Sequence, residues 1–324
     1  MLKLDTVSKI YSVGTFGGKE LHAVSDVSFA VAEGEIVSLI GESGSGKSTI
    51  GRMILRLIKI SSGTIVVDGV DISTLKGPGL KDYYRNVQGV FQDPFSSYNP
   101  IFKADRIFRI IHEEFFPEVK GKEWTDKLNR SLGAVGLNPE QVLGKFPHQL
   151  SGGQLQRLLI ARALLLDTRF LVADEIISML DASTRIDVLN LLVDLKARGL
   201  SILFITHDLS LGYYISDRAV ILYRGRVAEQ GSTDRIYSNP LHPYTQMLMA
   251  AVPRLDEKWE AGEVELQARL ADSDGGCVYR DRCPVALDRC VEAPPLVEAA
   301  QNHLVACWRV SGEDAAANDQ SSFA

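Results

Sequence analysis

The chain has 324 residues, 45% hydrophobic and 23% charged, with a net charge of −6. That length holds one large core with an appendage, or two modest domains, and the composition excludes wholesale disorder. The acidic balance argues against a chain that wraps nucleic acid or lies on anionic lipid.

The opening "MLKLDTVSKIY" alternates apolar and polar residues and reads as a first strand. It lacks the basic-then-apolar pattern of a signal peptide, so a cytoplasmic protein is expected. Residues 27–31 and 36–40 read as strands, and the second runs into "GESGSGKST" at 41–49. Ile50, Met53, Ile54, Leu57 and Ile58 then recur at helical spacing. "TIVVDG" at 64–69 is a further short strand. From about 95 to 160 the chain is mixed and helix-rich, and Leu155, Leu158, Leu159 and Ala163 mark its last helix. The strand "FLVA" at 170–173 follows, and then a helix over 183–197 expected to align Ile186, Leu189 and Val193 on one face. "SILFIT" at 201–206 is a continuous apolar strand, and "VILYRGRVAEQG" reads as a hairpin turning at Arg224-Gly225. Strands alternating with helices imply a largely parallel sheet covered on both faces. Beyond residue 240 the period weakens and Cys and Pro accumulate, so a second module is expected there. Residues 311–324 have the composition of a disordered tail. No stretch approaches the roughly 18 apolar residues of a membrane span, so a membrane role requires partners that cross it.

"GESGSGKST" fits the phosphate-loop pattern G-x-x-x-x-G-K-[ST]. Glycines let successive N–H groups converge on phosphate oxygens at the start of a helix. Gly41, Ser43, Gly44, Ser45, Gly46 and Thr49 are the candidate cradle. Lys47 is expected to reach the β- and γ-phosphates, and Ser48 to hold Mg²⁺. "LSGGQLQR" at 150–157 taken alone is an ordinary helix cap. It lies, however, between the phosphate loop and the adjacent carboxylates Asp174 and Glu175.

The order of phosphate loop, "FQDP" (91–94), "LSGGQ", "ADE", "SMLD" and "THD" (206–208) strongly resembles the ATP-binding-cassette family over residues 1–240. The resemblance implies an α/β P-loop ATPase with a RecA-like parallel core, an antiparallel β subdomain and an inserted helical subdomain at about 95–160. It also implies a head-to-tail dimer with ATP at the interface. There Ser151, Gly152, Gly153 and Gln154 bind the γ-phosphate held by the opposite chain, and Asp181 communicates across the same interface. Tyr11 resembles the aromatic that stacks on adenine. Asp174 and Gln92 are implied around Mg²⁺, Glu175 as the general base on water, and His207 as the contact to the γ-phosphate. The family commonly has proline after the glutamate, where this chain has Ile176 and Ile177. Loss of proline loosens that turn by about 0.4–1 kcal/mol at most, too little to cancel a base worth about 10²–10⁴ in rate.

"NPLHPYTQMLMAAVPR" (239–254) and "GCVYRDRCPVALDRC…HLVACW" (276–308) resemble the extension of ATPases from dipeptide and oligopeptide importers, a branch that includes nickel and oligosaccharide systems. The extension is expected over 241–310. All four cysteines, Cys277, Cys283, Cys290 and Cys307, fall within it, which implies a shared site. Disulfides are disfavoured in a cytoplasmic ATPase. Zinc and free thiols are the lesser alternatives; against zinc, neither close pair has the usual short C-x-x-C-type spacing. Four thiolates suit an iron–sulfur cluster, and the resemblance implies [4Fe–4S]. Expected partners are a second cassette subunit, the same chain or a homologue, two permease subunits and an extracytoplasmic solute-binding protein, with this chain at the cytoplasmic membrane face. No nucleic acid is expected. The permease contact is expected near Gln92 and residues 93–110. A soluble cassette ATPase and a binding-only partner are the alternatives; peptides lead oligosaccharides as the solute.

Overall fold

The computed structural model describes residues 1–13, 18–251 and 275–311. The expected disordered tail therefore lies, beyond Ser311, outside the described residues.

The chain begins with two long strands, β1 (Leu2–Val13) and β2 (Lys19–Val31), followed by β3 (Ile36–Ile40) and α1 (Lys47–Ile54). Next come β4 (Ser62–Val67), β5 (Val70–Asp71), α2 (Gly77–Asn86) and β6 (Val87–Val90). A helical lobe then contains α3 (Arg106–Phe115), α4 (Gly121–Ala134), the single turn α5 (Pro139–Val142) and α6 (Gly152–Leu165). The chain returns through β7 (Phe170–Asp174), α7 (Ala182–Ala197), β8 (Ser201–Thr206) and α8 (Leu209–Ile215) to the hairpin β9 (Arg218–Tyr223) and β10 (Arg226–Ser232). After α9 (Thr233–Ser238) and α10 (Pro243–Ala250), the last elements are β11 (Val297–Ala300), β12 (His303–Val305) and the turn α11 (Trp308–Ser311).

Two sheets result. β2-β1-β4-β5 is antiparallel, while the larger sheet runs β11-β12-β10-β9-β3-β8-β7-β6 and is parallel from β9 to β6. The parallel strands are apolar on both faces because each face is covered. Along β8, Ile202 and Phe204 face a core shared with the helical lobe, whereas Leu203 and Ile205 face a second core shared with α1 and the antiparallel sheet. The period-two alternation of a strand divides the two cores.

Two expectations change. The helix after the phosphate loop stops at Ile54, and Leu57 beyond it is exposed. On α7 the buried positions are Val188, Leu189, Leu192 and Leu195, while Ile186 and Val193 are 45% and 38% exposed. The expected stripe therefore straddled the edge of the buried face, since two leucine rows compete at that spacing. The C-terminal region, expected as a second module, joins the main sheet, where β12 pairs antiparallel with β10. A buried pair fixes this junction: His303 Nε2 lies 2.6 Å from Glu229 Oε1, and Glu229 also accepts from the N–H groups of Leu241 and His242.

Candidate functional site

Ligands of open parallel sheets bind beyond the carboxyl ends of the strands. The sequence-predicted groups fall at that edge. Gly41 follows β3, Gln92 comes two residues after β6, Glu175 follows β7 and His207 follows β8. The order β3-β8-β7-β6 lines up the phosphate loop, His207, the Asp174–Glu175 pair and Gln92 along one rim.

The phosphate loop is held by its neighbours. Gly225, in the β9–β10 turn, donates its N–H to the Ser45 carbonyl at 2.9 Å. Gly41 and Gly46 are required by close approach. A Cβ on Gly41 would lie 2.1 Å from the Leu222 carbonyl oxygen, and one on Gly46, at φ 99°, would lie 2.5 Å from the Ala23 oxygen. Gly44 also has positive φ, and Ser43 and Gly44 form the exposed crest. Lys47 is buried and donates Nζ to the carbonyls of Gly41 (2.7 Å) and Glu42 (2.8 Å). Burial lowers its pKa, an effect opposed by the charges of Glu175, Asp174 and Glu42. Ser48 and Thr49 sit in the first turn of α1, and Ser48 Oγ donates to Asp174 Oδ1 at 3.1 Å. Burial raises the pKa of Asp174, and the Ser48 bond opposes the rise.

Glu175 has φ 50°, a strained value for a residue with a side chain. Its backbone is nevertheless pinned: its N–H donates to the Ile205 carbonyl at 3.0 Å, and its carbonyl accepts from Ser178 N–H and Oγ. Its Oε1 lies 3.3 Å from Nδ1 of His207, whose ring is largely exposed. Ile176 and Ile177 do not form the loosened turn expected from the missing proline. They are 0% and 3% exposed and belong to the core under the helical lobe. Burial supplies the anchoring that a fixed φ would otherwise give.

Ser151 caps α6: its Oγ accepts from Gln154 N–H at 3.2 Å, while Gln154 Oε1 accepts from Ser151 N–H at 2.9 Å. This reciprocal box fixes the helix end and leaves the Gly152 and Gly153 N–H groups at its start. Gly153 packs close to Thr184, whose hydroxyl donates to Asp181 at 2.8 Å. Asp181 also caps α7 and accepts from Ser183 Oγ; these bonds hold its carboxyl far below the usual range. The "LSGGQ" and "SMLD" segments thus meet within one chain. Tyr11 lies on β1 opposite Leu21, two residues from the Ala23 that touches the phosphate loop, with the Lys9 ammonium 4.8 Å from its ring centre. Gln92 is exposed.

The cysteine expectation fares differently. Cys277, Cys283, Cys290 and Cys307 are free thiols, and among the described residues no group of three or more His, Cys, Asp or Glu is arranged to hold a metal ion. The compact tetrahedron that zinc requires, with Zn–S near 2.3 Å, is therefore not formed. The four do share one neighbourhood: Cys277 N–H donates to the Cys290 carbonyl, and after burial the nearness of the other three thiols adds to the upward pKa shift of Cys307. Burial raises the pKa of Cys277, Cys283 and Cys307.

Sequence reasoning missed two residues at the loop. Arg282 forms a two-pronged pair with Glu42, and Tyr244 Oη accepts from the Glu42 N–H at 3.0 Å. Each is some two hundred positions from its partner, and no spacing rule connects them.

A phosphate loop on a parallel sheet, with carboxylates at the next strand ends, defines a P-loop nucleotide triphosphatase. Residues 24–178 match the ABC transporter family, and residues 228–290 match the oligopeptide/dipeptide transporter C-terminal region. The chain is 41% identical over 321 residues to the oligopeptide transport ATP-binding protein AppF of Bacillus subtilis, covering 95% of this chain and 96% of that one. It is 38% identical to OppF of Salmonella typhimurium, an oligopeptide transport ATP-binding protein, over 90% of this chain and 89% of that one. A solved dimer of the ATP-binding cassette MJ0796, bound to ADP and Pi, superposes with a TM-score of 0.64 at 30% identity, covering 72% of this chain and 99% of that one. The chain belongs to the ABC transporter ATPases of the oligopeptide/dipeptide importer family. It is an ATPase. No helix among the described residues is long and apolar enough to cross a membrane.

Proposed function

We propose that the chain is the energy-coupling subunit of a peptide importer, hydrolysing ATP at an interface between two cassettes and passing the resulting motion to membrane-spanning permease subunits. The observation that carries the ATPase reading is the convergence of Lys47, Ser48, Asp174, Glu175 and His207 at one sheet edge. The names of the relatives support peptides as the solute.

In this reading Lys47 exchanges its two loop carbonyls for phosphate oxygens, while the loop N–H groups and α1 cradle the remaining charge. Ser48 and Asp174, hydrogen-bonded at 3.1 Å, would hold Mg²⁺ together with Gln92 at the neighbouring strand end. When bound there, Mg²⁺ would supply positive charge at the β- and γ-phosphates. Glu175 takes a proton from the attacking water, and His207 orients that water against the γ-phosphate. Ser151, Gly152, Gly153 and Gln154 close on the nucleotide of the opposite cassette, Asp181 links the two sites, and Tyr11 stacks on adenine. Residues 1–240 form the cassette and 241–310 the importer-type extension, at the cytoplasmic membrane face. Phe95, Ile101, Phe102 and Ile110 are exposed while Ala104 and Phe108 are buried, which supports reading the outward set as the permease contact. A solute-binding protein completes the complex.

The resemblance to the importer extension is what supports a [4Fe–4S] cluster of structural role on the four cysteines; among the described residues they are not arranged as a metal site. Anaerobically purified protein should be brown and contain iron and sulfide, and colourless iron-free protein would contradict the assignment. The solute is tested by reconstituting the full complex in vesicles. Peptides should stimulate ATP turnover; stimulation by cello-oligosaccharides but not peptides would assign the importer to sugars instead.

A further inference from the structure

Residue 42, the second position of the phosphate loop, is gripped on three sides. Lys47 holds its carbonyl at 2.8 Å, and the Tyr244 hydroxyl accepts its N–H at 3.0 Å. Arg282 reaches its carboxylate through Nη1 at 2.9 Å from Oε2 and Nη2 at 3.2 Å from Oε1. Only the first grip comes from the loop itself. Tyr244, on α10, is fully buried, and its ring packs, tilted, against Tyr223 and Tyr279 at centroid distances of 4.5 and 5.4 Å. Arg282 is flanked by Tyr223, whose hydroxyl accepts from Nη1 at 3.4 Å. The guanidinium therefore has little freedom to leave the carboxylate.

The position of Arg282 in the chain gives this contact a further consequence. It lies in the short turn between Cys277 and Cys283, closed by bonds from Arg280 N–H to the Cys277 carbonyl and from Cys283 N–H to the Arg280 carbonyl. Anything that sets the two cysteines sets Arg282. A phosphate loop binds well only when its N–H groups already point at the phosphate site, so a brace on residue 42 acts on nucleotide affinity before it acts on chemistry.

We propose that Arg282 and Tyr244 are positioning residues for ATP: the turn between Cys277 and Cys283 clamps the phosphate loop through Glu42 and transmits the arrangement of the cysteine region to the nucleotide site. The proposal rests on the ATP-site reading above and adds a residue pair that this reading does not use. Because the pair is partly exposed, its loss should weaken ATP binding only about fivefold.

The test measures ATP binding by displacement of a fluorescent ATP analogue from the full chain, and KM and kcat in the assembled complex. Arg282→Gln and Glu42→Gln should each raise Kd and KM about fivefold, with kcat changed less than twofold. The double variant should be no worse than either single one, and Arg282→Lys should recover part of the loss. Cys283→Ser, which leaves the pair intact but alters its anchor, should weaken binding in the same direction. Additive effects in the double variant, or unchanged Kd in both single variants beside an active wild type, would overturn the clamp. A wild type that neither binds nor hydrolyses ATP would instead overturn the ATP-site reading.

Discussion

At the scale of single residues, Glu175 is the position where strain and proposed function coincide. It sits at φ 50°, yet both of its backbone groups are bonded and the two residues after it are buried. Backbone strain persists only where the surroundings over-determine it. Ile176 is the main determinant here, since it has no exposed surface. Ile176→Ala should cost about 2–5 kcal/mol of unfolding free energy, as truncations of buried isoleucine do. Turnover should fall as well, because the turn carrying the proposed base loses its anchor. Urea unfolding and ATP turnover of the same preparation check this; a variant with wild-type stability would mean the turn is held by other contacts. The sequence contained the isoleucines but not their environment. A missing proline reads locally as lost rigidity, whereas the core beneath the turn is assembled from α6, β7 and α7.

Helix ends and strand ends carry most of the site. α6 begins with a reciprocal cap that serves its own backbone, so the same residues hold two roles, one structural and one proposed across the dimer. The two roles separate on mutation. Ser151→Ala should cost about 1 kcal/mol of stability through the lost cap. It should also weaken ATP-dependent pairing of cassettes, read by light scattering with the hydrolysis-impaired Glu175→Gln background. Full pairing with reduced stability would confine Ser151 to capping. At this scale the sequence was informative where a motif also fixes local geometry. The phosphate loop, β7 and β8 all lie at the expected positions because loop glycines and unbroken apolar strands need no distant partner to be recognised. The α7 stripe was misjudged, since burial there depends on which neighbouring helices pack against it. That information is absent from spacing alone.

Across the whole molecule, the C-terminal region is part of the ATPase. β12 extends the main sheet, Glu229 and His303 pair inside it, and Arg282 reaches the phosphate loop. None of these long-range contacts has a sequence signature, which is why residues 241–310 read as a separate module. His242 lies at the same junction. It is buried, its Nδ1 accepts from the Tyr244 N–H, and burial pushes its pKa down to about 4 from 6.5. Above pH 6.5 the residue is neutral in both folded and unfolded chains and costs nothing. As pH falls from 6.5 toward 4, only the unfolded chain takes up the proton, so stability declines by about 3 kcal/mol. Unfolding free energies between pH 7 and pH 4 should show that loss in the wild type. In His242→Asn the same portion of the slope should be missing; an unchanged slope would assign the acid sensitivity elsewhere.

The central claim is that this chain hydrolyses ATP with Glu175 as the base, at a site assembled from the carboxyl ends of four adjacent strands. The most direct measurement is steady-state ATP turnover by the complex reconstituted with its permease subunits, comparing wild type with Glu175→Gln. If the partner cassette is a different chain, its corresponding glutamate must be disabled in both preparations. Turnover should fall by about 10²-fold or more while ATP binding is retained, in line with the loss of a general base. Turnover near the wild-type rate would contradict the assignment.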